Sequence, residues 1–253
     1  MKKTVFITGA DRGLGFELAR KYAESGDRVF AGRFKKNWHL LDDLAARFPD
    51  TLHVVPLDVG NSESVKAAAE FTKGRTRSID ILINVAGVWL SADTGTILDD
   101  GFDYDRMLTE FNVNALGTLR VTQALIGLVL ESYEKLVVNL SSEAGSIGGC
   151  AKDGQPGYCM SKAAVNMQSV IVLNAIRKHG GNVMDIHPGW MLSVIGKATA
   201  DPDEAFCEMP EGVRYYVTPG QVAENIFELL KNPERFNSDE PAFINSFGER
   251  LKW

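Results

Sequence analysis

Residues 4–15 read TVFITGADRGLG, a short β-branched and aromatic run that breaks into glycines at Gly9, Gly13 and Gly15. Thr4–Thr8 has the composition of a strand, and the amphipathic stretch Leu14–Glu24, closed by Gly26, has the period of a helix. Glycines between a strand and a helix let the backbone turn sharply and approach a pyrophosphate, which would rest on the amide groups of the new helix. Many such turns are glycine-rich for steric reasons alone. The motif therefore takes its meaning from the rest of the chain.

Beyond Gly26 the same alternation repeats. The pattern predicts further strands at Arg28–Ala31, Leu52–Leu57, Ile79–Val85, Lys135–Leu140, Asn182–Ile186 and Ala242–Asn245. Helical stretches lie between them at Leu40–Arg47, Ser62–Thr72, about Asp105 to Ser132, and Tyr158–Lys178. A last helix opens on Thr218 as N-cap, with Pro219 at its first position and Gln221 completing a capping box. Alternation at this spacing implies an α/β fold of three layers, αβα, around a doubly wound, mainly parallel seven-stranded sheet. No repeat, linker or low-complexity segment interrupts it, so residues 1–253 are expected to form one domain. Ligands of such sheets bind at the carboxyl ends of the strands, where the strand order reverses.

Composition narrows the function. The 253 residues carry a net charge of -6, which gives no footprint for nucleic acid or an anionic membrane surface. No apolar run approaches the roughly 18 residues that span a bilayer, and the start, MKKTVFITGA, is too short in apolar residues for a signal peptide. Cys150, Cys159 and Cys207 are odd in number and lack metal-ligand spacing, so no metal site and a reducing cytoplasm are expected. Cys159, beside Tyr158, is read as an ordinary thiol.

The strand ends carry the candidate residues. After the second strand comes Phe30-Ala31-Gly32-Arg33. An acid there would bind the ribose 2′-hydroxyl of NAD, whereas arginine accommodates the 2′-phosphate of NADP. The next acid is Asp42, so Arg33 and Arg12 favour NADP(H), unless both are simply solvated. Asp58 and Val59 end the third strand and are placed to meet an adenine. Small residues come after the fourth, in Asn84-Val85-Ala86-Gly87. Asn114 interrupts the long helical pattern with a polar side chain, marking either a kink or a functional group. His187, before Pro188-Gly189, reads as a packed strand-end residue rather than an acid–base group.

The fifth strand leads into Ser141-Ser142, a glycine-rich loop, and then Tyr158 and Lys162. Residues four apart on a helix share a face. A lysine ammonium there favours the phenolate, so the tyrosine could trade a proton near neutral pH. Alone, the pair is equally compatible with an idle helix face.

Together these pieces resemble the classical short-chain dehydrogenase/reductase family over about Thr4 to Ser193. The family's TGxxxGxG motif matches Thr8–Gly15, with Gly9, Gly13, Leu14 and Gly15 at the cofactor. Its NNAG motif appears as Asn84-Val85-Ala86-Gly87, with valine for the second asparagine, and its YxxxK motif as Tyr158 and Lys162. The resemblance implies a Rossmann fold. It also implies a catalytic set in which Tyr158 protonates a carbonyl oxygen, Lys162 lowers the tyrosine pKa and binds the nicotinamide ribose, and Ser142 polarises the carbonyl. Asn114 would hold a water in a relay to Lys162. Pro188, Gly189, Met191 and Ser193, the last replacing the usual threonine, would frame the nicotinamide.

Within the family, Arg12, the HPGW turn and the terminal FGERLKW look nearest to carbonyl reductases and the sniffer and C-factor-like group. The expected function is NADP(H)-dependent reduction of an aldehyde, ketone or quinone. The alternatives are a cofactor-sensing signalling protein and an NAD-linked alcohol dehydrogenase. Residues 190–217, with Trp190, Phe206, Tyr215 and Tyr216, and the loop bearing Trp89 would close the pocket over a small molecule. Those aromatics suit an apolar carbonyl compound or simply pack the lid. A homodimer or homotetramer through the long helices is open.

Overall fold

The computed structural model describes residues 2–36, 38–90, 95–99, 101–191 and 217–253. Its seven strands are β1 (Thr4–Ile7), β2 (Arg28–Arg33), β3 (Leu52–Pro56), β4 (Ile81–Asn84), β5 (Leu136–Leu140), β6 (Asn182–His187) and β7 (Ala242–Asn245). They form one sheet in the order β3-β2-β1-β4-β5-β6-β7, and all of its pairings are parallel. The strands progress outward in one direction from β1 to β3 and in the other from β4 to β7. The crevice is therefore at the carboxyl ends of β1 and β4.

A parallel sheet is covered on both faces, so its strands are apolar on both sides. Val5 and Ile7 of β1 and Ile81 and Ile83 of β4 join one core, shared with α1 (Gly13–Glu24), α2 (Leu40–Arg47) and α7 (Pro219–Leu229). Phe6 and Leu82 point the other way into a second core, under α3 (Ser62–Lys73), α5 (Thr118–Leu130) and α6 (Pro156–Ile176). Helix α7 begins as its sequence requires: Thr218 N donates to Gln221 Oε1 at 3.0 Å and Gln221 N to Thr218 Oγ1 at 3.3 Å.

Two expectations change. The helix anticipated from Asp105 to Ser132 is α4 (Tyr104–Phe111) and α5, joined by a π-helical turn at Asn112–Gly117. Such turns widen the hydrogen-bond ladder and recur at functional sites. Taken together, Tyr104–Leu130 is long and apolar enough to cross a membrane by length and composition, and holds an 18-residue window with a mean hydropathy of 1.4. No run of that kind was expected, because the polar residues are spread around it. In the fold, Val121, Leu125 and Val129 of this helix pack into the second core.

Candidate active site

The first turn is built to leave space. Gly9 has φ +62°, and a Cβ there would lie 3.0 Å from Ala86 Cα; a Cβ on Gly15 would lie 2.1 Å from Gly9 O. Gly13, at φ +55°, has nothing within 4 Å of an added Cβ, so its side faces open crevice. No side chain caps the start of α1, so the helix keeps its first N–H groups for an anion. The Leu14 side chain is buried in the first core and offers a ligand only its backbone. Thr8 Oγ1 accepts from the amides of Val85 and Ala86 at 2.9 and 3.0 Å, tying this turn to the end of β4.

The two arginines differ. Arg12 stacks on Trp38, its guanidinium 5.1 Å from the ring centroid, and its Nη1 is buried without a hydrogen-bond partner. Arg33 Nη1 instead donates to Asp42 Oδ1 at 2.6 Å. The glycine cradle and the unsatisfied Arg12 nitrogen fit a dinucleotide carrying an extra phosphate. Trp38, which sequence reasoning missed, is the platform that orients Arg12; an aromatic shortly after the second strand was its only signal.

At the third strand end, Asp58 Oδ1 accepts from Gly60 N at 2.9 Å. Val59 packs its side chain into the second core, where a Cβ on Gly117 would lie 2.9 Å from it. Asn84, expected at the cofactor, turns its side chain away from the crevice. Its Nδ2 donates to Thr122 Oγ1 at 3.1 Å and Asn139 Oδ1 at 2.9 Å, both buried. It shares a strand face with Leu82, which already belongs to the second core, so its side chain must go there too. Gly87 does face the site: a Cβ would lie 3.2 Å from Asn114 Oδ1 and 3.8 Å from Lys162 Nζ.

Four candidate residues converge. Ser142 leaves β5 with extended backbone, and its hydroxyl hydrogen-bonds the Tyr158 phenol. Lys162 Nζ is 5.8 Å from the Tyr158 ring centroid and donates to Leu140 O at 2.7 Å. Asn114, in the π-helical turn, is fully engaged. It accepts from Val88 N at 2.8 Å and donates to Val88 O at 2.9 Å and to Ser161 Oγ at 3.0 Å. It clamps the helix to the loop after β4. Gln155, in the left-handed region at φ +63°, and Pro156 at the first position of α6 set the angle at which the Tyr158 helix starts.

The electrostatics depart from expectation. Lys162 was expected to bring the tyrosine pKa down. Instead, burial pushes Tyr158 up to about 12, opposed by the Ser142 hydrogen bond, with Cys159, Glu110 and Glu143 raising it further. The phenol is therefore neutral near pH 7. Burial also lowers Lys162 to about 8, opposed by the charge of Asp185.

At the end of β6, His187 packs between elements, its side chain 12% exposed and its Nε2 3.7 Å from Glu143 Oε2. Burial lowers its pKa, and Glu143 opposes that. Gly189 takes φ +88°, turning Pro188 and Gly189 across the strand end. Trp190 Nε1 donates to Glu143 Oε1 at 3.0 Å, and Lys152 Nζ lies 5.1 Å from the Trp190 ring. Met191 bridges to Val217. Trp89 tilts toward Tyr158, ring centroids 6.4 Å apart. Ser193, Phe206, Tyr215 and Tyr216 lie outside the described residues. Glu143, next to Ser142, was missed; its neighbours His187 and Trp190 are more than 40 positions away and give no local signal.

Comparisons with known proteins converge on one family. A family model described as short chain dehydrogenase matches residues 3–204. A 1-hydroxy-2-glutathionyl-2-methyl-3-butene dehydrogenase from Rhodococcus sp. (strain AD45) is 30% identical, over 99% of this chain and 99% of its own. The NADPH-bound carbonyl reductase from chicken fatty liver has a TM-score of 0.82 at 27% identity, covering 100% of this chain and 94% of its own. Carbonyl reductase Sniffer of D. melanogaster has a TM-score of 0.79 at 21% identity, covering both chains fully, which speaks to the fold.

Proposed function

The chain belongs to the short-chain dehydrogenase family, and on that premise we propose that it reduces a carbonyl compound with NADPH, Tyr158 acting as general acid. The observation that carries the reading is the neutral Tyr158 phenol hydrogen-bonded by Ser142, one helical turn from Lys162. A bound nicotinamide supplies the hydride to the carbonyl carbon. Tyr158 gives its proton to the carbonyl oxygen, so the carbonyl becomes an alcohol and the tyrosine is left as phenolate. Ser142 holds that oxygen beside the phenol. Lys162, charged below about pH 8, stabilises the phenolate left behind. The buried, unpaired Arg12 nitrogen supports a phosphate-bearing cofactor, hence NADP(H) over NAD(H).

Trp89 beside Tyr158 supports an apolar or aromatic small-molecule substrate. Exposed Leu108, Met167 and Ile171 on α4 and α6 support a homodimer through these helices. The exposed thiol of Cys150 suits a cytoplasmic setting. A second reading, oxidation of an alcohol, is favoured by the name of the Rhodococcus relative. Consumption of NADPH across aldehydes, ketones and quinones tests the first reading. Turnover confined to NAD and alcohols would replace it with the second.

A further inference from the structure

One buried carboxyl group near the site has no task in the proton transfer. Asn84, Asn139 and Asp185 stand opposite one another in register on β4, β5 and β6, all buried, Asp185 completely. Asn139 Nδ2 donates to Asp185 Oδ1 at 3.1 Å, and Ser169 Oγ to the same oxygen at 2.7 Å. Asp185 Oδ2 is buried with no hydrogen-bond partner. A spacer in this row needs no acid, since an amide would fill the same shape. A buried carboxylate is costly unless a cation faces it.

The elements that hold Asp185 also hold a cation. Ser169 and Lys162 are seven residues apart on α6, two turns, hence on one helix face. Lys162 Nζ is anchored on Leu140 O, next along β5 from Asn139. Resting on the reductase reading, we propose that Asp185 is the buried counter-ion of Lys162, a positioning residue that keeps the lysine charged for the Tyr158 proton transfer. Each acts on the other: burial lifts Asp185 to about 7 while Lys162 draws it down, and Asp185 resists the lowering of Lys162. Among the described residues, the other elements packed there contribute Asn139 from β5, Thr122 from α5 and, opposite Asp185 on β7, the apolar Phe243. The titratable neighbours beyond are Tyr158, His187, Glu143 and Lys152.

The test uses the whole chain. Asp185→Asn removes the charge and keeps the shape; Ser169→Ala removes a hydrogen bond that lowers the Asp185 pKa, and so leaves part of the charge. The proposal expects Asp185→Asn to move the alkaline limb of kcat/KM for carbonyl reduction about one pH unit toward acid, and Ser169→Ala to move it the same way by less. A limb unmoved in Asp185→Asn, or moved further in Ser169→Ala than in Asp185→Asn, overturns it. A cofactor-free measurement separates this from the reductase reading and serves if Asp185→Asn does not fold. In protein isotope-labelled at the aspartate carboxyl carbons, Lys162→Met should raise the NMR titration midpoint of Asp185. An unchanged midpoint overturns the pair, whether or not a carbonyl is reduced. A raised midpoint without turnover supports the pair and sinks the reductase reading.

Discussion

Arg33 donates to Asp42 across 2.6 Å, joining the end of β2 to the first turn of α2. The arginine offered by sequence as a phosphate ligand is therefore already paired. Asp42 is half exposed, and a pair of this kind is worth about 0–1 kcal/mol, so a cofactor phosphate can compete for the guanidinium. Asp42→Asn should tighten NADPH binding by up to about fivefold. Arg12→Ala, which removes the stacked and unsatisfied cation, should weaken it by about tenfold or more, with NADH binding little changed in both. Fluorescence titration of each cofactor checks this, and an equal loss for NADH would show that Arg12 reads something other than the phosphate.

Gly87 should tolerate no side chain. A methyl there meets Asn114 Oδ1 at 3.2 Å and approaches Lys162 Nζ to 3.8 Å, filling the place between the loop and Lys162. Gly87→Ala is expected to retain its circular dichroism and lose at least about tenfold in kcat/KM. Activity at the wild-type level would mean that the loop after β4 does not border the reacting atoms.

The buried row through Asn139 should matter for stability. Asn139→Ala takes one of two acceptors from the Asn84 amide nitrogen and a donor from Asp185, so about 2–4 kcal/mol is expected to be lost. Urea unfolding measures it. Replacement without cost would show that the row is hydrated or rearranged.

Asp185 also gives stability a pH dependence. Its folded pKa, about 7, is raised above the ordinary 3.8. The folded state therefore holds the proton longer, and the stability linked to it is complete below about pH 4 and lost as pH rises through about 7. Asp185→Asn lacks this loss. Its stability relative to wild type should improve between about pH 5 and pH 8, as read from Tm. A pH-independent difference would show that Asp185 titrates normally.

Much of the sheet was legible because strands buried on both faces appear as unbroken apolar runs ended by glycine or polar residues. The capping box at Thr218 was legible for a local reason: its two partners are three residues apart. Tyr158 and Lys162 were found by their spacing and Ser142 by the family resemblance, and the fold brings them together. The direction of the Asn84 side chain was also available, since Leu82 and Asn84 have the same strand parity, but the motif drew attention to the strand end instead. The π-helical turn at Asn112–Gly117 was not legible, because one widened turn hardly alters a helical hydrophobic pattern. Nor was the choice of Asp42 by Arg33, or the contact of Glu143 with Trp190, which depend on how separate elements pack. The rise in the Tyr158 pKa comes from burial, which the Tyr-x-x-x-Lys spacing does not carry.

The central claim is that Tyr158 delivers the proton in a carbonyl reduction, and the most direct measurement compares Tyr158→Phe with wild type. Both rates of NADPH oxidation with the best carbonyl of a broad panel, and both NADPH dissociation constants, are needed. The account predicts a loss of at least about a hundredfold in turnover, with cofactor affinity within about threefold of wild type. Undiminished turnover in Tyr158→Phe would contradict it.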